Sequence, residues 1–373
     1  MGNETRREIV LVTGFPRLIA RLVCTQVLES APGRVVRLLV REKFHAEARE
    51  FVREHPERAR IELLDGDAAA IDLGLSGAEY RDLAGEVDYV LHHAHVSYEG
   101  ADRRTAEALN VQGAREILEL ARVATRLKRV VHQSTVRVSG DREGRVTEGE
   151  LEAGQSFRSA IEDTMYRAER LMRNAIGTVP ITVIRPSFVV GHSQTGAIDR
   201  LDGPYLLILL LLTAPAEFAL PMPSRGDALL HLVPMDYVAR ATVALMDHPD
   251  AAGRTLHLVD RAAPSVRAAF QSMARSAGRP TPRGFIPVNV TRAVLRTPGL
   301  ERFVKSPRAF LELLATPVVY ASDQAAALLE PMNIRCPPFD SYVDTMIAHV
   351  RERLTARRAR GGDLSAEIED PLA

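Results

Sequence analysis

The stretch VTGFPRLIA (Val12–Ala20) decides the fold. It follows a run of β-formers, Ile9–Thr13, and opens the segment Leu18–Ser30, whose apolar residues recur at three- and four-residue spacing. A glycine at such a strand-to-helix turn lets backbone N–H groups face an anion at the positive end of the helix. Thr13, Gly14, Phe15, Pro16 and Arg17 are therefore the first candidate ligand-binding residues.

Outward from this loop the pattern repeats. Further strands are expected at Val35–Val40, Ile61–Asp65, Tyr89–His92, Arg129–Gln133 and Ile181–Ile184. Helical segments lie between them at Phe44–His55, Gly77–Gly85, Arg103–Thr125 and Phe157–Ile176. Strands alternating with helices of this length predict a doubly wound α/β domain, a parallel Rossmann sheet covered on both faces. After Gly191 the pattern loosens among glycines and prolines, and LHLV (Leu256–Val259) reads as a brief return to the sheet. The expected organisation is a nucleotide-binding domain at 1–190, with 234–260 returning to it. A smaller, mostly helical C-terminal substrate lobe spans 191–355, and a flexible tail 356–373.

Composition narrows the class. The 373 residues carry 48 Lys+Arg against 48 Asp+Glu, so net charge advertises neither nucleic acid nor an anionic membrane. Cys24 and Cys336 are too few for a disulfide framework or zinc site and fit a cytoplasmic location. No signal peptide is visible. The most apolar run, Leu206–Leu212, is well short of the roughly 20 residues that span a bilayer. It reads as a buried helix of the second lobe, or as the apolar wall of a hydrophobic small-molecule site.

The loop resembles the TGxxGxxG loop of extended short-chain dehydrogenases/reductases, in the branch of fatty acyl reductases and thioester reductase domains. Gly14 keeps the first glycine, Arg17 falls on the second, and Ala20 is small enough for the third. Arg17 either contacts a cofactor phosphate or blocks its approach. LLVREKF (Leu38–Phe44) ends the second strand with Arg41 and Lys43, which suit the 2′-phosphate of NADP, with NAD as the alternative. In LLDGD (Leu63–Asp67) the resemblance makes Asp67 an adenine partner. VLHHAHV (Val90–Val96) supplies His92 and Ala94 beneath the cofactor, and NVQG (Asn110–Gly113) supplies an Asn that organises the active-site loop. IRPSFVVG (Ile184–Gly191) places Pro186 and Ser187 beside the nicotinamide. DGPY (Asp202–Tyr205) and VPMDYVA (Val233–Ala239) complete a resemblance over about residues 8–260. Pairing of relatives through their two long helices implies a homodimer.

In this family a Ser or Thr holds the substrate oxygen, a Tyr moves the proton, and a Lys one helical turn later lowers the tyrosine's pKa. STVRVSG (Ser134–Gly140) supplies Thr135, but SAIEDTMYRAERLM (Ser159–Met172) puts Ile161 at the Tyr position and Met165 at the Lys position. Neither carries a transferable proton or a charge. Three readings follow. One is a hydride-transfer enzyme with a relocated donor, from Tyr166, Tyr205, Tyr98 or His192, and with Arg137 as electrophile; a substrate that stabilises its own oxyanion needs little acid help. The others are a non-redox enzyme (rearrangement, cyclisation or dehydration) and a non-catalytic cofactor binder. His92, His93 and His95 read as core or cofactor-flanking side chains rather than metal ligands, with His93 and His95 on one strand face. No G-x-S-x-G elbow supports a serine hydrolase.

Overall fold

The computed structural model describes residues 6–359 except 99, 216, 218–219, 223–224, 286–313 and 315. The first half alternates as its pattern demands: β1 (Glu8–Thr13), α1 (Leu18–Ser30), β2 (Arg34–Val40), α2 (His45–Glu54), β3 (Ile61–Asp65), α3 (Gly77–Glu86) and β4 (Val87–His92). Then come α4 (Arg103–Ala106), α5 (Gly113–Val123), β5 (Arg129–Gln133), the short β6 (Gly144–Val146), α6 (Ala160–Asn174) and β7 (Ile181–Pro186). The second half holds β8 (Phe188–Val190), α7 (Tyr205–Thr213), β9 (Leu232–Pro234), α8 (Met235–Asp247) and β10 (Thr255–Leu258). It continues with α9 (Val266–Ser276), β11 (Val318–Tyr320), α10 (Asp323–Leu329) and α11 (Val343–Ala359).

Seven strands form one parallel sheet in the order β3-β2-β1-β4-β5-β7-β10. The doubly wound Rossmann expectation holds, and the return to the sheet is β10 paired with β7. Strand alternation sorts the core. Val10 and Val12 of β1 face the layer of α1 and α8, while Leu11 faces α3, α5 and α6. Each fully buried aliphatic side chain stabilises by about 1.5–3 kcal/mol, so the two faces together fix the register. The crevice at the carboxyl ends of β1 and β4, where the order departs in opposite directions from β1, is the topological switch point at which such sheets bind ligands.

A buried charge cluster fixes α6 behind that crevice. Glu169 is fully buried, receives Arg185 Nη2 at 2.6 Å and Nε at 2.9 Å, and accepts the Ser134 hydroxyl at 2.6 Å. Burial acts to raise the Glu169 carboxyl, and the Arg185 charge outweighs it, holding it below the usual carboxylate range.

The structure departs from the sequence reading in several places. The helix expected over Arg103–Thr125 is interrupted by a π-helical turn at Glu107–Gln112. β6, β8, β9 and β11 are three-residue strands in two small parallel pairs, β6 with β11 and β8 with β9. The apolar run Leu206–Leu212 is α7, packed with α9 and α11 in a second hydrophobic cluster. No described helix is long and apolar enough to cross a membrane. The charged end reaches Ala359 as part of α11, and the tail beyond lies outside the described residues.

Candidate functional site

Gly14 sits at φ +101°, in the left-handed region, and a Cβ there would lie 2.8 Å from the carbonyl carbon and oxygen of His93. Glycine is required because β1 and the loop after β4 touch at this point. Thr13 completes the junction. Its hydroxyl oxygen accepts the N–H groups of His93 and Ala94, each at 3.2 Å, and stands 2.9 Å from His92 Nδ1. A hydroxyl that accepts twice donates its one proton, so His92 Nδ1 is the acceptor and the ring proton sits on Nε2.

The strand ends at His92, so the alternation assigned to His93 and His95 does not apply. His92, His93, His95 and His132 are all buried, with the His92 and His132 rings stacked at 5.4 Å. His93 Nδ1 meets Gln133 Oε1, whereas His93 Nε2, His95 Nδ1 and both His132 nitrogens have no hydrogen-bond partner. Burial depresses all four, His93 and His132 to about 4. Asn110 binds the following loop, its Oδ1 accepting Val96 N–H at 2.7 Å while its Nδ2 donates to the Thr164 hydroxyl at 3.0 Å.

At the other end of the crevice Arg41, Lys43 and Asp67 come together. Both cations lie over the Phe44 ring, at 5.2 and 4.9 Å. Burial and then the neighbouring Arg41 lower the Lys43 ammonium, against the pull of Asp67. Asp67 Oδ1 also accepts the Ala69 N–H at 2.9 Å, which closes the turn after β3.

Thr135 follows β5 and is half-buried; its hydroxyl oxygen accepts only a long 3.3 Å contact from the Arg137 N–H. Ile161 and Met165, at 2% and 1% exposure, pack with Val96, Tyr98, Leu109 and Val138. The two positions that the resemblance gives to the acid and the cation thus lie in a mainly apolar cluster. Of the candidate donors, Tyr98 and Tyr166 border this cluster, whereas Tyr205 and His192 lie elsewhere. Tyr205 is buried in the cluster of α7, α9 and α11, where its hydroxyl oxygen accepts the Gly191 N–H at 2.8 Å and burial pushes the phenol well above its usual range. His192 Nδ1 accepts the Gln194 N–H at 3.2 Å and shapes a turn. Tyr166 packs against the Phe157 ring in a tilted contact, centroids 4.9 Å apart. Tyr98 lies beneath the Arg200 guanidinium at 5.4 Å. Arg137 pairs with the buried Glu162 at 3.3 Å and covers the Phe188 ring. Pro186 closes β7, and Ser187 is buried with an unpartnered hydroxyl.

The start of α1 carries a residue that the sequence did not single out. Both carboxylate oxygens of Asp199 stand on the Leu18 N–H, at 2.9 and 3.0 Å. Pro16 has no N–H to add. Arg17, 8% exposed, turns its guanidinium to the His95 carbonyl at 2.8 Å and the Ser97 hydroxyl at 3.4 Å, and Arg200 reaches the same hydroxyl at 3.5 Å. A helix N-terminus flanked by guanidinium groups is a donor set that fits a phosphate. In this structure the Asp199 carboxylate occupies that N–H.

A family model described as male sterility protein, of the NAD-binding type, matches residues 12–242. A carboxylic acid reductase from Segniliparus rugosus is 30% identical over 202 residues, covering 50% of this chain and 17% of the relative. The Drosophila melanogaster fatty acyl-CoA reductase wat is 26% identical over 216 residues, covering 50% of this chain and 41% of the relative. This chain therefore spans less than half the length of either. Among solved structures, the terminal R domain of the myxalamid PKS-NRPS pathway superposes with a TM-score of 0.77 at 26% identity, covering 94% of this chain and 92% of that one. UDP-glucuronic acid 4-epimerase from Bacillus cereus, in complex with NAD, gives a TM-score of 0.67 at 16% identity over 93% of this chain and 98% of that one, a likeness of fold alone. These likenesses support a nicotinamide cofactor.

Proposed function

The chain belongs to the male sterility protein family, and from that premise we propose that it is a nicotinamide-dependent reductase of apolar acyl thioesters that releases an aldehyde. The observation that carries this reading is the pairing of a retained Thr135 with an apolar cluster at Ile161 and Met165. Such a site orients a carbonyl oxygen and does not protonate it.

The reduced dinucleotide, when bound, supplies a hydride. Addition of that hydride to a thioester carbon gives a tetrahedral oxyanion. Collapse then breaks the C–S bond and sends the electron pair away on sulfur, leaving R–CHO and a thiolate. The oxygen returns to a carbonyl without having taken a proton. The leaving thiol has a pKa of about 8.5 and needs little acid help. Reduction of an aldehyde or ketone is different, because its oxygen must finish as a hydroxyl and a proton donor is then required. The missing Tyr and Lys therefore select a substrate class rather than cancel the chemistry. Gly14 and the start of α1 would hold the dinucleotide's pyrophosphate, Arg41 and Lys43 its 2′-phosphate (hence NADP), and Asp67 its adenine. The fatty acyl-CoA reductase among the relatives and the surroundings of Ile161 and Met165 support an apolar substrate.

Release of free thiol from a long-chain acyl-coenzyme A, followed together with dinucleotide oxidation, tests the proposal. One thiol is expected per NADPH consumed, with NADH markedly poorer. NADPH binding without thiol release from any acyl thioester would refute the substrate class.

A further inference from the structure

We propose that Asp199 is an internal stand-in for the cofactor's pyrophosphate, so that the free chain keeps its dinucleotide seat closed and the dinucleotide binds only by displacing this carboxylate. The proposal rests on the dinucleotide reading above.

Three observations carry it. First, the Leu18 N–H at the start of the 13-residue α1 is engaged by both Asp199 oxygens across 181 residues of sequence. A carboxylate is the side-chain group nearest in charge and donor demand to a phosphate. Secondly, the surroundings hold more donor capacity than the carboxylate uses. Arg17 is nine-tenths buried with Nε unpartnered. Thirdly, Asp199 is placed by the second lobe rather than by the loop it caps. The Ile198 carbonyl accepts Arg353 of α11 at 2.7 Å. Gly196, at φ +70°, lies so close to α11 that a Cβ would stand 2.7 Å from the Thr345 carbonyl. On the other side Leu201 is buried in the second-lobe core.

These anchors flank Asp199 on both sides. Release therefore involves its side chain and adjoining peptide rather than a wide opening, and Arg17 is left beside the vacated N–H to meet the incoming phosphate. The second lobe, which would hold substrate, thereby also sets the cofactor's affinity.

The test is NADPH affinity by calorimetry for the whole chain and for Asp199→Ala and Asp199→Asn, with melting temperatures measured without ligand. Removing the competing carboxylate is expected to tighten NADPH binding about fivefold, a helix-terminus charge effect at the upper end of the ordinary range. Loss of the cap should lower the ligand-free melting temperature by about 1–3 °C. Asp199→Asn, which keeps the shape and removes the charge, should also tighten binding. Equal affinity in all three proteins would overturn the proposal and leave the dinucleotide reading intact. Weaker binding in folded Asp199→Ala would make Asp199 a support of the site and overturn it too. Binding by none of the three at millimolar NADPH would instead remove the dinucleotide reading, and the closed seat with it.

Discussion

Conformational stability is expected to fall steeply as the pH drops from about 6.5 to about 4. His93 and His132 are fully buried and held to about 4, and burial drives His92 and His95 well below 6.5. The Arg17 charge further disfavours protonation of His93 and His95, and Glu169 partly offsets the effect at His132. Unfolded, each ring takes a proton near pH 6.5. Between the two values the unfolded chain binds more protons than the native one, so acid favours unfolding. Each depressed histidine contributes about 1.4 kcal/mol per pH unit within its interval. His93 and His132 alone contribute on the order of 5 kcal/mol across the window, comparable with the whole net stability of many domains. Lowered carboxylates such as Glu150, held to about 2 by the Thr147 N–H, lose their contribution only at lower pH. Denaturant midpoints at pH 7, 6, 5 and 4 check this. A midpoint that stays constant from pH 7 to pH 4 would show that the histidines are not buried neutral.

The second large effect is on the reaction. Thr135→Val should lower the rate of thiol release by about 10²–10³, the cost of losing one donor to a developing oxyanion. Thr135 accepts the Arg137 N–H and keeps its own proton to donate. NADPH affinity should change by less than about twofold, since the binding residues lie elsewhere, whereas Thr135→Ser should retain most of the rate. A thiol-release rate within about threefold of the parent in Thr135→Val would move the oxyanion contact to another group, Arg137 first.

Much of the fold was legible because its signals are local. β1, β2, β4 and β7 are largely apolar runs, and the glycine of Val12–Ala20 marks the switch-point loop. Ile161 and Met165, which the resemblance sets at the Tyr and Lys positions, stand on α6 and are both buried in one cluster. What stayed hidden depends on distance. No periodicity links Leu18 to Asp199, and the carboxylate looked like one more polar residue in a loop rich in turn formers. Glu148 is similar: it is buried and accepts the His257, Gln324 and Ala325 N–H groups, joining three separate segments. The short pair of β6 and β11 gives no alternation to read. Tyr205 looked chemical because of its residue type, and only packing shows that its hydroxyl holds the turn at Gly191. The histidines after β4 were assigned faces by a strand pattern that stops at His92.

The central claim is that this site reduces an acyl group once and cannot complete a second reduction, because nothing at positions 161 and 165 delivers a proton. Product analysis under excess NADPH tests it most directly, starting in one reaction from an acyl thioester and in another from the corresponding aldehyde. The account predicts that aldehyde accumulates in step with free thiol, with one NADPH consumed per thiol, and that added aldehyde is left unreduced. Alcohol formed from either starting material, with two NADPH consumed per thiol in the first, would contradict it.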